Sequence, residues 1–261
     1  MKGVGHPFAA LAVGSRGVGK RKTLADIEFS NGKQIELSSI AALNASATEI
    51  ADELSNLPKH DAATLRALRR RVSADLAANS ATHIARIAER IMQSGTPGCQ
   101  VIACELILHR QDALATIRAK DLERLGRAMA SWAEVDTFAC YLAGRAWRAG
   151  QIEDSVVLGW AESDNRWWRR AALVSTVPLN VRAQGGSGDA KRTLRICRVL
   201  IDDRDPMVVK AMSWALRELA VRDPEAVSAF LQRYGERLAP HVHREVRNKL
   251  ETGRKTPRRE R

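Results

Sequence analysis

Few residues in this chain favour a sheet. Its 261 residues include two Tyr and four Phe, and β-branched residues are sparse, so the side chains that strands prefer are scarce. No run alternates apolar and polar residues long enough to specify a strand. Long hydrophobic runs are also missing. The apolar stretch nearest the start, Phe8 to Val13, is too short for a signal-peptide core or a membrane span, so a soluble chain is expected. The four cysteines, Cys99, Cys104, Cys140 and Cys197, form no CxxC pair and no zinc-finger spacing. Three of them fall in apolar helical runs, where a free thiol behaves as a small hydrophobe. This pattern points away from a disulfide framework and toward a reducing, cytoplasmic compartment.

What is abundant is alanine, leucine and arginine, a composition that favours helix. The formal charge of +12 is unevenly placed. Residues 1–35 carry six Lys/Arg against two acids and residues 253–261 carry five against one. A surplus of four at each end leaves about +4 for the body. Charge alone therefore argues only for nonspecific attraction to polyanions.

Residues 1–40 lack a sustained period and are read as a flexible basic extension; residues 253–261, with Gly253 and Pro257, are read as a basic disordered tail. Between them, over 41–252, helical patterns succeed one another. They run over 47–57, 61–78, 82–93, 98–109, 121–130, 134–147, 153–162, 166–177, 188–201, 206–221, 224–234 and 241–251. The breaks carry helix-boundary chemistry, as in Gly95-Thr96-Pro97, Asp164-Asn165, Asp205-Pro206 and Asp223-Pro224. Paired helices recurring every 35 to 45 residues or so predict an all-α solenoid, with a compact helical bundle as the competitor. The stretches from Asp164 to Ala171 and from Arg204 to Ala211 also resemble each other: each sets a cation just before a small residue, a turn or more after an acidic cap.

Three elements lie in order between Trp132 and Glu218: Ser131-Trp132-Ala133-Glu134-Val135-Asp136, Asp164-Asn165-Arg166-Trp167-Trp168-Arg169-Arg170-Ala171-Ala172, and Lys210-Ala211-Met212-Ser213-Trp214-Ala215-Leu216-Arg217-Glu218. Together they resemble the DNA alkylation repair glycosylases built from HEAT-like repeats. The resemblance implies a curved superhelix with a concave face that binds double-stranded DNA. It implies excision of positively charged alkylated purines, of the 3-methyladenine and 7-methylguanine type, by a monomer that uses no metal or cofactor and contacts no membrane. Asp136 would be the catalytic carboxylate, Trp132 and Trp214 aromatic walls around the damaged nucleotide, and Arg170 a DNA-contacting cation with Arg166, Lys210 and Arg217 beside it. Two departures stand out. Ala133 occupies a position where an Asp is common, and residues 180–192 look like a longer linker than usual.

The residues themselves leave alternatives open. On the 206–221 helix the apolar stripe runs through Val209, Met212, Leu216 and Leu219, while Trp214 shares a face with Lys210 and Arg217. That suits stacking beside a polyanion; packing against the next repeat is the other reading. Arg170 falls among Trp167, Leu173, Val174 and Val177, so a buried guanidinium needs a partner. A carboxylate on the adjacent repeat and a DNA phosphate both qualify; the resemblance implies the phosphate. Ser131 and Glu134 read as a capping box, which puts Asp136 near a first turn where any acid is favoured. On that ground alone a surface acid is the simpler reading, and the chain as a whole could be a noncatalytic module binding DNA or protein. The chemistry needs few groups, because a cationic alkylpurine is already a good leaving group. One carboxylate can stabilise the oxocarbenium-like sugar and position water, and aromatic faces attract the developing charge.

Gly14-Ser15-Arg16-Gly17-Val18-Gly19-Lys20 matches the first part of a P-loop but continues with Arg21 in place of Ser or Thr. His241 and His243 lack a third ligand at sensible spacing. Trp167 is expected in the core and Trp168 on the outer face between repeats.

Overall fold

The computed structural model describes residues 24–256, with side chains from residue 40 onward. The Gly14–Lys20 stretch, most of the N-terminal extension and the end of the basic tail lie outside the described residues. Helices follow one another along the chain: α1 (Leu24–Ser55), α2 (Ala62–Asp75), α3 (Ala81–Gln93), α4 (Cys99–Leu108), α5 (Gln111–Thr116), α6 (Ala119–Gly126), α7 (Trp132–Phe138), α8 (Gly144–Arg148), α9 (Asp154–Ala161), α10 (Arg166–Val174), α11 (Val177–Asn180), α12 (Ala190–Val199), α13 (Pro206–Leu219), α14 (Pro224–Tyr234) and α15 (Pro240–Thr252). A π turn, Ala139–Ala143, joins α7 to α8, and a 3-10 turn spans Arg182–Gln184. The chain divides into two compact units, residues 1–41 and 42–261. The second holds every helix from the later part of α1 onward.

The expected breaks at Asn165, Asp205 and Asp223 are capped as their chemistry dictates, whereas α4, after Gly95-Thr96-Pro97, begins after Gly98 with no side-chain cap. Asp61, Ser80, Ser131, Asn165, Asp189, Asp205 and Asp223 each accept a hydrogen bond from a first-turn amide, satisfying donors that the helix leaves open. Proline at the first turn of α13, α14 and α15 sacrifices no hydrogen bond there.

Two layers result. In one, α4, α7, α10, α13 and α15 pack side by side in chain order; in the other lie α3, α5, α6, α9, α12 and α14, each against its chain neighbour in the first. Side chains bind neighbouring helices along the chain at a nearly constant sequence offset. Arg69 pairs with Glu105, Arg170 with Asp136, Arg169 with Asp203, Arg192 with Asp154, and Ser213 with Glu245, all 32 to 38 residues apart. Leu, Ile and Ala fill the interior, and the four cysteines are free and buried among them. Burial pushes the Cys197 thiol up to about 12.

Several elements differ from the sequence reading. α1 begins at Leu24, well before Ala47. The helix α5 was not anticipated, and the helix expected over 166–177 stops at Val174 before restarting as α11. The linker over 180–192 is folded in: buried Asn180 donates to Thr176 and Thr193 and accepts from the Asp189 amide. Both tryptophans are half-buried, so Trp167 is not the core residue expected. Trp168 packs edge-on against Phe138 at 5.9 Å and beside Trp160 at 5.2 Å, while Trp167 is half-buried under the Arg166 guanidinium. A small residue opposite, Gly126, gives the Trp168 ring its space. No helix among the described residues is long and apolar enough to cross a membrane.

Candidate functional site

Three neighbouring helices of one layer, α7, α10 and α13, carry Trp132, Asp136, Arg166, Arg170, Lys210, Trp214 and Arg217, the residues the family resemblance singles out. The capping box forms as read: Ser131 accepts from the Glu134 amide, and Glu134 accepts from the amides of Ala130 and Ser131. It fixes where α7 starts, and so sets Trp132 and Asp136 one turn apart on the same side. Trp132 is 58% exposed, an unusual amount for so large an apolar surface. Asp136 is no surface acid, since its side chain is only 20% exposed.

The partner of Asp136 is Arg170. Arg170 Nε donates to Asp136 Oδ1 at 2.9 Å and Nη2 to Oδ2 at 2.8 Å, a bidentate pair. Arg170 Nη1 reaches the Met207 carbonyl in the first turn of α13 at 2.5 Å. One guanidinium thus ties α7, α10 and α13 together, and it is 5% exposed. Of the two partners the sequence leaves open for Arg170, the carboxylate is the one in contact here. The carboxylate on the adjacent helix takes its fork, because that partner is fixed within the fold and a phosphate would have to enter a buried space.

Burial pushes the Asp136 carboxyl above the ordinary aspartate value, and the Arg170 hydrogen bonds and charge pull it partly back. Among the described carboxylates with a clear shift it alone moves upward; Asp61, Asp112, Asp154, Asp202 and Glu245 all move down. The π turn places Cys140 beside it. Burial first, then the Asp136 charge, drive that thiol up to about 12, which makes it a neutral wall.

Trp214 is half-buried, and its Nε1 donates to Glu218 Oε1 at 3.0 Å. The Glu218 charge, like that of Asp136, also pushes the Cys140 thiol up. Sequence reasoning missed Glu218, though its place four residues after Trp214 was a usable signal. The stripe on α13 is wider than read: Val208, Ala211, Ser213 and Ala215 are buried with Met212, Leu216 and Leu219, because the helix has neighbours on both sides. Arg217 does not join Trp214. It turns toward α15, with Nε 3.2 Å from Ser213 Oγ and 3.8 Å from Glu245. Lys210 is exposed. Arg166 is half-exposed, 3.6 Å from Asp205. His241 sits 3.2 Å from Glu245 as well. Among the described residues no group of three or more His, Cys, Asp or Glu is placed to hold a metal ion.

Chemically, the site offers an oriented carboxylate with lone pairs left over, low hydration, and an exposed indole one turn away. Such a carboxylate attracts a developing cation strongly, since little water screens it. No curated protein matches the chain at a significant level. The family model described as DNA alkylation repair enzyme matches residues 43–250, a span that includes α2 through nearly all of α15. With the three elements, their order and this match together, the chain belongs to the family of DNA alkylation repair enzymes.

Proposed function

We propose that the protein is a monofunctional glycosylase that releases cationic alkylated purines from duplex DNA. The observation that carries this reading is the Asp136–Arg170 pair, buried at the junction of three helices beside the exposed Trp132. Arg170 acts as a positioning residue: it fixes the carboxylate plane and keeps its partner helices in register. Asp136 stabilises the oxocarbenium-like sugar as the C1′–N bond breaks, and orients the water that attacks C1′. The alkylated base leaves neutral with the bonding electrons, so no proton need be delivered to it. The proton of the attacking water passes to Asp136 or to solvent. Trp132 and Trp214 are read as aromatic surfaces flanking the nucleotide, and Lys210 and Arg166 as phosphate contacts, on a face that the repeat geometry would curve around DNA.

A second reading has its own support. Asp136 and Arg170 stand 34 residues apart, the same offset as Arg169 and Asp203, so the pair also fits a structural rung of a noncatalytic DNA-binding module. Base release from methylated duplex DNA, without metal or nucleotide, separates the two. Wild type should release alkylpurine; Asp136→Asn should release none while binding DNA as tightly or more so, with an unchanged circular dichroism spectrum. Equal release by both proteins removes Asp136 from the mechanism. No release by either, with DNA binding intact, favours the module.

A further inference from the structure

The other layer contains an unassigned groove. α12 and α14 both pack on α13 beneath them, and between them opens a cleft of about 590 Å³. Its rim carries Lys191, Arg195, Arg198 and Arg233, and no acidic residue lines it. These cations are exposed. Among the described residues, Arg195 alone of the four has a carboxylate near, Asp154 at 3.9 Å. The floor is apolar and largely small, with Ala190, Ala226 and Ala229 between Leu194 and Phe230.

We propose that this groove receives an acidic amphipathic helix of a partner protein. The cleft lies where a third helix would pack between two others, and alanines on the floor let a backbone approach closely. Leu or Phe side chains on one stripe of the incoming helix would fill the floor, and Glu or Asp flanking that stripe would meet the rim. The alkyl stems of the rim arginines extend the apolar surface while their heads stay in water. A single nucleic-acid strand fits less well, because strand binding relies on open aromatic faces. Here Phe230 is buried, and Tyr234 is half-buried against Phe230 at 5.0 Å with the Arg233 guanidinium over its ring. The four cations supply the charge complementarity that selects an anionic partner over a second copy of this basic chain.

Fluorescence anisotropy with the full chain provides the test. The probe is a synthetic helical peptide with leucines at i, i+3, i+4 and i+7 and glutamates beside them; poly-glutamate and an oligothymidylate are the comparisons. The peptide should bind saturably and at least tenfold tighter than either. Arg198→Glu with Arg233→Glu should weaken it at least tenfold, and so should Ala229→Trp, which fills the groove and leaves every cation in place. All three positions are exposed, so thermal melts should match wild type. Absence of saturable binding overturns the proposal, as does equal binding of poly-glutamate or tighter binding of the oligothymidylate. Retained affinity in Ala229→Trp overturns it too. None of these outcomes depends on base release.

Discussion

At the residue scale, the Asp136–Arg170 pair fixes two expectations beyond loss of release in Asp136→Asn. Release requires the ionised carboxylate. Burial raises its pKa, so protonation on acidification sets in at a higher pH than for an ordinary aspartate. The acid limb of kcat/KM should lie above about 3.8, and a limb below that value would show that Asp136 does not titrate in the reaction. Truncating the partner has a different effect. Arg170→Ala leaves a mostly buried carboxylate without its cation and frees the Met207 carbonyl, a loss of about 3–5 kcal/mol in unfolding free energy, measurable by urea denaturation. Trp132→Ala should leave stability unchanged, since the indole is mostly in water. Release should fall about 5- to 30-fold if the ring contributes a cation–π contact of about 1–2 kcal/mol to the sugar cation. Arg170 itself shows what sequence can and cannot deliver here. Its place in an apolar stripe announced a buried guanidinium with a partner; which partner depended on a side chain 34 residues away.

At the scale of the element, the π turn after α7 sets Cys140 beside Asp136, and α8 packs closely on α11. Gly144 sits at that approach: a Cβ there would lie 2.5 Å from the Ser175 carbonyl and 2.8 Å from Pro178. Gly144→Ala should therefore destabilise by about 1–3 kcal/mol, as overpacking does. Gly159, in the middle of α9, has open space around its Cβ position. Gly159→Ala should be neutral or stabilise by up to about 1 kcal/mol, because alanine loses less backbone entropy in a helix. Paired thermal melts of the two variants check the direction of each. Helix starts were legible because one cap residue and its amide suffice to specify them. The π turn, α5 and the break before α11 were not, because they answer to packing from outside their own segment.

For the whole molecule, the charge distribution predicts how DNA affinity responds to salt. If Lys210 and Arg166 contact phosphates, replacing either with Ala should reduce the slope of log affinity against log salt by about one and weaken all sequences alike. Arg217→Ala should change that slope less, since its guanidinium is held near Ser213 and Glu245. Filter binding across a salt series measures each slope.

The sequence by itself determined the helical class, most of the helix caps and the ordered motifs that place the chain in its family, because these rest on local propensity and on short-range patterns. Tertiary structure decided that Arg170 serves Asp136 rather than solvent, and that Arg217 turns away from Trp214. It likewise decided that Trp168 rather than Trp167 enters the aromatic cluster. Each of these outcomes is a competition among partners brought together by the packing of separate helices, and helical periodicity specifies a face but not the neighbour that will meet it.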